Sequence, residues 1–70
     1  MEPLLEKAYV VWEDDILLMN DGSVLAVRHV TLDEIVLVNG AEARAFDRKT
    51  WQELRPLIRY AVREDRWFEV

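Results

Sequence analysis

Seventy residues allow one domain, 1–70, and a chain this short buries only about 60 % of the surface that its unfolded form exposes. Fourteen acidic residues against nine basic ones leave a net charge of −5, a long-range penalty against duplex nucleic acid as a partner. The absence of cysteine excludes disulfides, thiolate zinc sites and cysteine nucleophiles, and 51 % hydrophobic residues with three tryptophans exclude a disordered chain.

So many apolar side chains in so small a fold point to a partner, and the lack of cysteine fits a reducing compartment. Met1-Glu2-Pro3 does not begin a signal peptide, and no apolar run nears the roughly 20 residues that span a bilayer. A cytoplasmic protein without membrane contact is the expectation.

Residues 3–12 read in two ways. Leu4, Leu5, Ala8, Val11 and Trp12 would line one helical face behind Pro3, whereas Tyr9-Val10-Val11-Trp12 is a run of strand formers. The favoured reading is a helical or irregular start at 3–7 and a strand over 8–13. Ile16–Met19 and Val24–Val30 then flank Asn20-Asp21-Gly22-Ser23, a hairpin signal. With Asp21-Gly22 as the central pair, Leu18 faces Leu25, Ile16 faces Val27, and Asp14 lies opposite His29. Met19 with Val24, Leu17 with Ala26 and Asp15 with Arg28 fill the reverse side. Both faces are apolar near the turn, unlike a sheet with one solvated side.

A second hairpin joins Ile35–Val38 to Ala41–Phe46 around Asn39-Gly40. It sets Val36 and Val38 beside Ala43 and Ala41, with Ala45 on the same low face, where a helix could lie. Ile35, Leu37 and Phe46 point the other way, among Glu42 and Arg44. That helix is read over Phe46–Trp67, since Trp51, Leu54, Ile58, Ala61 and Val62 recur at spacings of three and four. Thr50-Trp51-Gln52-Glu53 fits a capping box, with Asp47 as the alternative cap one turn earlier. Pro56 either kinks the helix or opens a second segment.

Chemistry finds little purchase. Ser23 is the only serine and lies in a turn at the far end of its hairpin from His29, the only histidine. Glu13-Asp14-Asp15 alternates across strand faces and matches no calcium loop, and Gly22 and Gly40 each belong to a turn rather than a phosphate loop. No catalytic, cofactor or metal residue is assigned, and the chain reads as a non-enzyme. Arg55, Arg59, Arg63 and Arg66, spaced at four, four and three, would stripe one side of the helix. Such a stripe is a solvated face or a site for anions and single-stranded nucleic acid. Trp67 beside Arg63 and Arg66 is the local candidate for base stacking.

The run Ile16-Leu17-Leu18-Met19-Asn20-Asp21-Gly22-Ser23-Val24-Leu25-Ala26-Val27-Arg28 precedes Phe46-Asp47-Arg48-Lys49-Thr50-Trp51-Gln52-Glu53-Leu54 and Ile58. This pattern of strands followed by Trp, Leu and Ile on a terminal helix resembles the single-stranded-DNA-binding transcriptional coactivators of the positive-cofactor-four type. The resemblance implies a curved antiparallel sheet, a helix packed on it, a homodimer joined through its helices, and a basic DNA groove. The strands here depart from that family, since they offer only Arg28 and Arg44 among several acids.

The expected fold is therefore α+β: a four- or five-stranded antiparallel meander with one C-terminal helix across a face. The expected function is a small homodimeric regulator or inhibitor engaging a basic protein surface; the alternative is a single-stranded nucleic-acid-binding transcription cofactor. Leu17, Met19, Val24, Trp12, Trp67 and Phe68 are the candidate interaction residues.

Overall fold

The computed structural model describes residues 9–70. Strands β1 (Ile16–Met19), β2 (Val24–Val30), β3 (Glu34–Asn39) and β4 (Glu42–Asp47) form a meander. A short helix, α1 (Arg48–Leu54), and one 3-10 turn (Arg55–Leu57) follow, and the chain returns as β5 (Ile58–Arg63) and β6 (Arg66–Phe68). All neighbours pair antiparallel in the order β4-β3-β2-β1-β5-β6. The class is α+β as expected, but the sheet has six strands, not four or five. β5 pairs with β1, so the first strand in sequence ends up inside the sheet.

The two hairpins keep their strands and change their registers. Gly22 N–H donates to the Met19 carbonyl and Met19 N–H to the Ser23 carbonyl, so the first loop holds three residues, Asn20-Asp21-Gly22. Gly22 takes the left-handed conformation, φ +91°, that ends such a loop. The extra residue slides the expected pairing by one: Leu17 meets Leu25, Leu18 meets Val24 and Ile16 meets Ala26. In the second hairpin Gly40, at φ +61°, and Ala41 are the central pair, between Asn39 and Glu42. Val38 therefore opposes Ala43 and Val36 opposes Ala45, while Ala41 lies in the turn. This slip is of two residues, so the valines and alanines still share a face.

The long C-terminal helix is not formed. Asp47, the alternative cap, closes the helix start by accepting the Thr50 N–H at 2.8 Å, a bond that holds its carboxylate below the usual range. The capping box at Thr50 is unused, because Thr50 is already inside α1. Pro56 has no N–H to continue the ladder, and the chain tightens into the 3-10 turn and leaves the helix. The turn is tied to the first hairpin loop, where Asn20 N–H donates to the Leu57 carbonyl at 2.9 Å.

Beyond it, Ile58–Arg63 is a strand whose apolar spacing imitates a helix. The β1–β5 register shifts between Leu18 and Met19, so Arg59 has no partner across the ladder. Ile58 and Ala61, three apart, consequently both face the core. β2 does the same around Arg28, which brings both Val27 and Val30 inside. β6 is reached through Glu64-Asp65, both at positive φ (50° and 65°) without a glycine.

One face of the sheet is covered. Leu17, Met19, Val27, Val30, Ile35, Leu37, Ile58 and Ala61 meet Trp51 of α1 together with Tyr9 and Val11. The expected strand over 8–13 is absent from its described part: Tyr9 and Val11 are fully buried around Val10, whose φ of 73° is strained for a β-branched residue. The other readings for residues 3–8 lie outside the described residues. α1 lies on the Ile35 and Leu37 face, opposite to the valine–alanine face expected to receive it. Tyr9 and Trp51 meet edge to face, 6.2 Å between centroids.

Trp51 is fully buried, so Trp51→Ala should cost about 3–5 kcal/mol, the range for a large aromatic removed from a core. For a chain of this size that loss leaves the variant largely unfolded, measurable by urea titration followed by circular dichroism. An unchanged midpoint would show that α1 does not anchor the covered face.

Candidate interaction surfaces

Asp15 is the one charged side chain in the core of the described residues, fully buried at the entrance to β1. Arg63, at the end of β5, meets it with both arms of its guanidinium: Nε donates to Oδ1 at 2.8 Å and one Nη to Oδ2 at 2.7 Å. The backbone N–H of Trp12 donates to Oδ2 at 2.8 Å. The same guanidinium lies over the Trp12 ring at 4.0 Å and the Phe68 ring at 4.7 Å. Planar stacking and a two-pronged hydrogen bond are what arginine offers and lysine does not. This cluster reads as a structural clasp joining residues 12–15, β5 and β6.

The neighbouring acids diverge. Glu13 Oε2 lies 3.0 Å from His29 Nδ1 and accepts the Val30 N–H at 3.3 Å, while the Asp14 N–H donates to the Val27 carbonyl. Asp14 is therefore not the partner of His29, nor is Asp15 that of Arg28. Ser23 donates through its hydroxyl and its N–H to Asp21, which draws that carboxylate below its usual range. Ser23 precedes β2 and His29 is near its other end. Among the described residues no three His, Asp or Glu side chains gather as metal ligands.

Two apolar surfaces remain. On the covered face, α1 and the 3-10 turn stop short of the hairpin loops and leave a groove of about 530 Å³. Its walls are Met19, Leu25, Leu37, Phe46, Leu54 and Leu57, and Asp21, Glu42 and Arg44 stand at its rim. On the other face nothing among the described residues lies over the sheet. There one row crosses all six strands: Ala43, Val38, Ala26, Ile16, Val62 and Trp67. Val24, Leu18 and Tyr60 make a second row beside it. A shallow hollow lies over Ala26, bordered by Ile16, Val38, Asp14 and Arg28.

The residues singled out from the sequence divide between these places. Leu17 and Met19 are in the core, turned inward by the one-residue slip of the hairpin. Val24 (47 % exposed) and Trp67 (69 %) stand on the open face. Trp12 and Phe68 are part-buried against Arg63. The arginine stripe is dissolved, because the helix that would align it does not exist: Arg55 is in the 3-10 turn, Arg59 at the bulge, Arg63 in the clasp and Arg66 on β6. Arg59 alone borders the Tyr60–Trp67 pair, whose rings meet edge to face at 5.7 Å, and Glu69 lies beside it. Helix-mediated dimerisation, as the coactivator resemblance implies, would have to use seven residues of α1.

The reading from sequence misses the Asp15–Arg63 pair, the row through Ile16, Val38 and Val62, and the placement of Arg28 with Asp14. The valine–alanine face is visible in it, but given to the helix. Comparison with family models, with curated proteins and with solved structures finds no match.

Removing Arg63 strands a buried carboxylate, so Arg63→Ala should cost about 3–5 kcal/mol. Arg63→Lys should recover only part of this, since it restores charge without the fork or the stacking. Thermal and urea unfolding of the two variants measure the difference; equal stability of Arg63→Lys and wild type would remove the geometric part of the argument.

Proposed function

We propose that this chain is a small non-enzymatic protein-interaction module that works as a homodimer, with the open face of the sheet as the contact between copies. The observation that carries this reading is the unbroken apolar row across six strands on a face that no described residue covers. Soluble monomers rarely expose contiguous apolar patches larger than a few hundred Å², and a two-fold pair is the commonest way to bury one. Burial of the open faces leaves both helix-side grooves pointing outward. With Asp21 and Glu42 against Arg44 at the rim and a net charge of −5, such a groove suits a basic protein surface with apolar side chains to insert. A regulator or inhibitor that masks a basic partner is the role this describes.

A second reading, single-stranded nucleic-acid binding, has one observation in its favour. Trp67 is exposed, braced by Tyr60 and bordered by Arg59, which is the minimum for base stacking. Glu69 in the same hollow and the acidic surface around it oppose this reading. Fluorescence anisotropy with a labelled single-stranded oligonucleotide at physiological salt should show weak, salt-sensitive binding at most, and none to duplex. Sub-micromolar affinity that drops in Arg59→Ala would reverse the order of the two readings.

Light scattering coupled to size exclusion, from micromolar to hundreds of micromolar, should give twice the chain mass of 8.3 kDa. Val38→Lys places a charge in the middle of the row and should give a folded monomer, with a circular dichroism spectrum like that of wild type. A wild-type monomer at every concentration, with a melting temperature that dilution does not lower, would end the homodimer reading.

A further inference from the structure

Resting on the homodimer reading, we infer how the second copy sits: the two open faces pack with the two-fold axis parallel to the strands, between β1 and β2. The largest side chains of the row then meet the smallest, and its two valines meet each other. The row has alanine at the β4 edge and tryptophan at the β6 edge. An axis along the strands reverses the strand order of one copy over the other. Trp67 of one copy comes over Ala43 of the second, Val62 over Val38, and Ile16 over Ala26. Leu18 likewise meets Val24. The hollow at Ala26 is filled by an isoleucine rather than left empty. An axis across the strands does the opposite, setting tryptophan on tryptophan at one edge and alanine on alanine at the other. Such a wedge cannot close at both edges.

Charge follows size. Asp14 and Arg28 border the same hollow, one just before β1 and the other in the bulge of β2. The strand-parallel axis exchanges the positions of β1 and β2, so Arg28 of each copy lies against Asp14 of the other. Four charges then alternate around the axis, which fixes orientation as well as attraction. The available area suffices. Six strands about 4.8 Å apart and about five residues long make a face of roughly 24 by 17 Å. Two such faces, with side-chain relief, remove on the order of 1,000 Å² from water, the lower bound for a specific interface.

The chain has no cysteine, so thiol cross-linking reads this geometry directly. Ala43→Cys and Trp67→Cys chains are prepared separately, mixed, and treated with a short bis-maleimide, beside a mass measurement of each. Facing sheets lie about 10 Å apart, whereas opposite edges of the sheet are about 24 Å apart. In the mixture the thiol of the Ala43→Cys chain should link to that of the Trp67→Cys chain, and neither variant alone should link to itself. The pair Val38→Cys and Val62→Cys repeats the test with Trp67 retained. As an electrostatic check, Arg28→Asp alone and Asp14→Arg alone should each weaken self-association by roughly tenfold, and an equal mixture of the two should recover it. Self-linking of Ala43→Cys, which an axis across the strands or pairing of β4 edges would produce, overturns the arrangement and leaves the homodimer intact. A dimeric mass without any cross-link between the paired positions overturns it as well. A monomeric mass for wild type removes both the arrangement and the reading beneath it.

Discussion

A buried carboxylate and the guanidinium that meets it decide how this small sheet closes. Asp15 and Arg63 continue the β1–β5 ladder by one step beyond the Ile16–Val62 pair. Taking two charges out of water costs several kcal/mol for each, and the return depends on geometry: two arms on two oxygens, and a backbone N–H from Trp12 on the oxygen that has room for it. If β5 slid by one residue, Asp15 would stay buried and lose its partner, while Ala61 and Val62 would exchange faces. The ion pair therefore penalises a slipped register of the β1–β5 pairing, the one long-range strand pairing among the described residues. It also holds Trp12 and Phe68 against one guanidinium, so the two ends of the described chain meet at one point.

The clasp has its own cost nearby. The Tyr9 hydroxyl and the indole nitrogens of Trp12 and Trp51 are buried with no hydrogen-bond partner among the described residues. Burial pushes the Tyr9 hydroxyl pKa up, against the lowering influence of Arg48. These groups contribute through their ring area, which outweighs a lost hydrogen bond when an aromatic side chain is fully enclosed. Among the described residues, the seven of α1 and the stretch around Tyr9 and Val11 cover one side of the sheet up to the groove. No described residue lies over the other. Among the described residues, the sheet therefore carries apolar side chains on both faces and a cover on one.

Helical and strand periodicities coincide over Ile58–Arg63 for an identifiable reason. A strand with one bulge presents Ile58 and Ala61 on the same side, the spacing a helix would give. Val27 and Val30 repeat the device around Arg28. In both places the unpaired residue is an arginine with its side chain in solvent. Two signals speak for the strand: Pro56 stops the helix, and Ile58, Tyr60 and Val62 are residues that favour strands. Periodicity taken across the proline hides both.

What the sequence by itself determined are the features that depend on a few neighbouring residues: the first four strands, their two glycine turns, and the presence of apolar side chains on both faces of the first hairpin; for the helix start it offered Asp47 only as the alternative to Thr50. Only the tertiary structure decided which side chain went to which face. A one-residue difference in the loop at Gly22 exchanges Leu17 for Leu18 between core and surface, and the energy of that choice lies in contacts with Trp51, Ile35 and Ala61, far away in the chain. The pairing of β5 with β1 and of Arg63 with Asp15 belongs to the same class, since 48 residues separate the two charges and nothing local to either one announces the other. Long-range burial, not local propensity, sets the register. The register sets the surface.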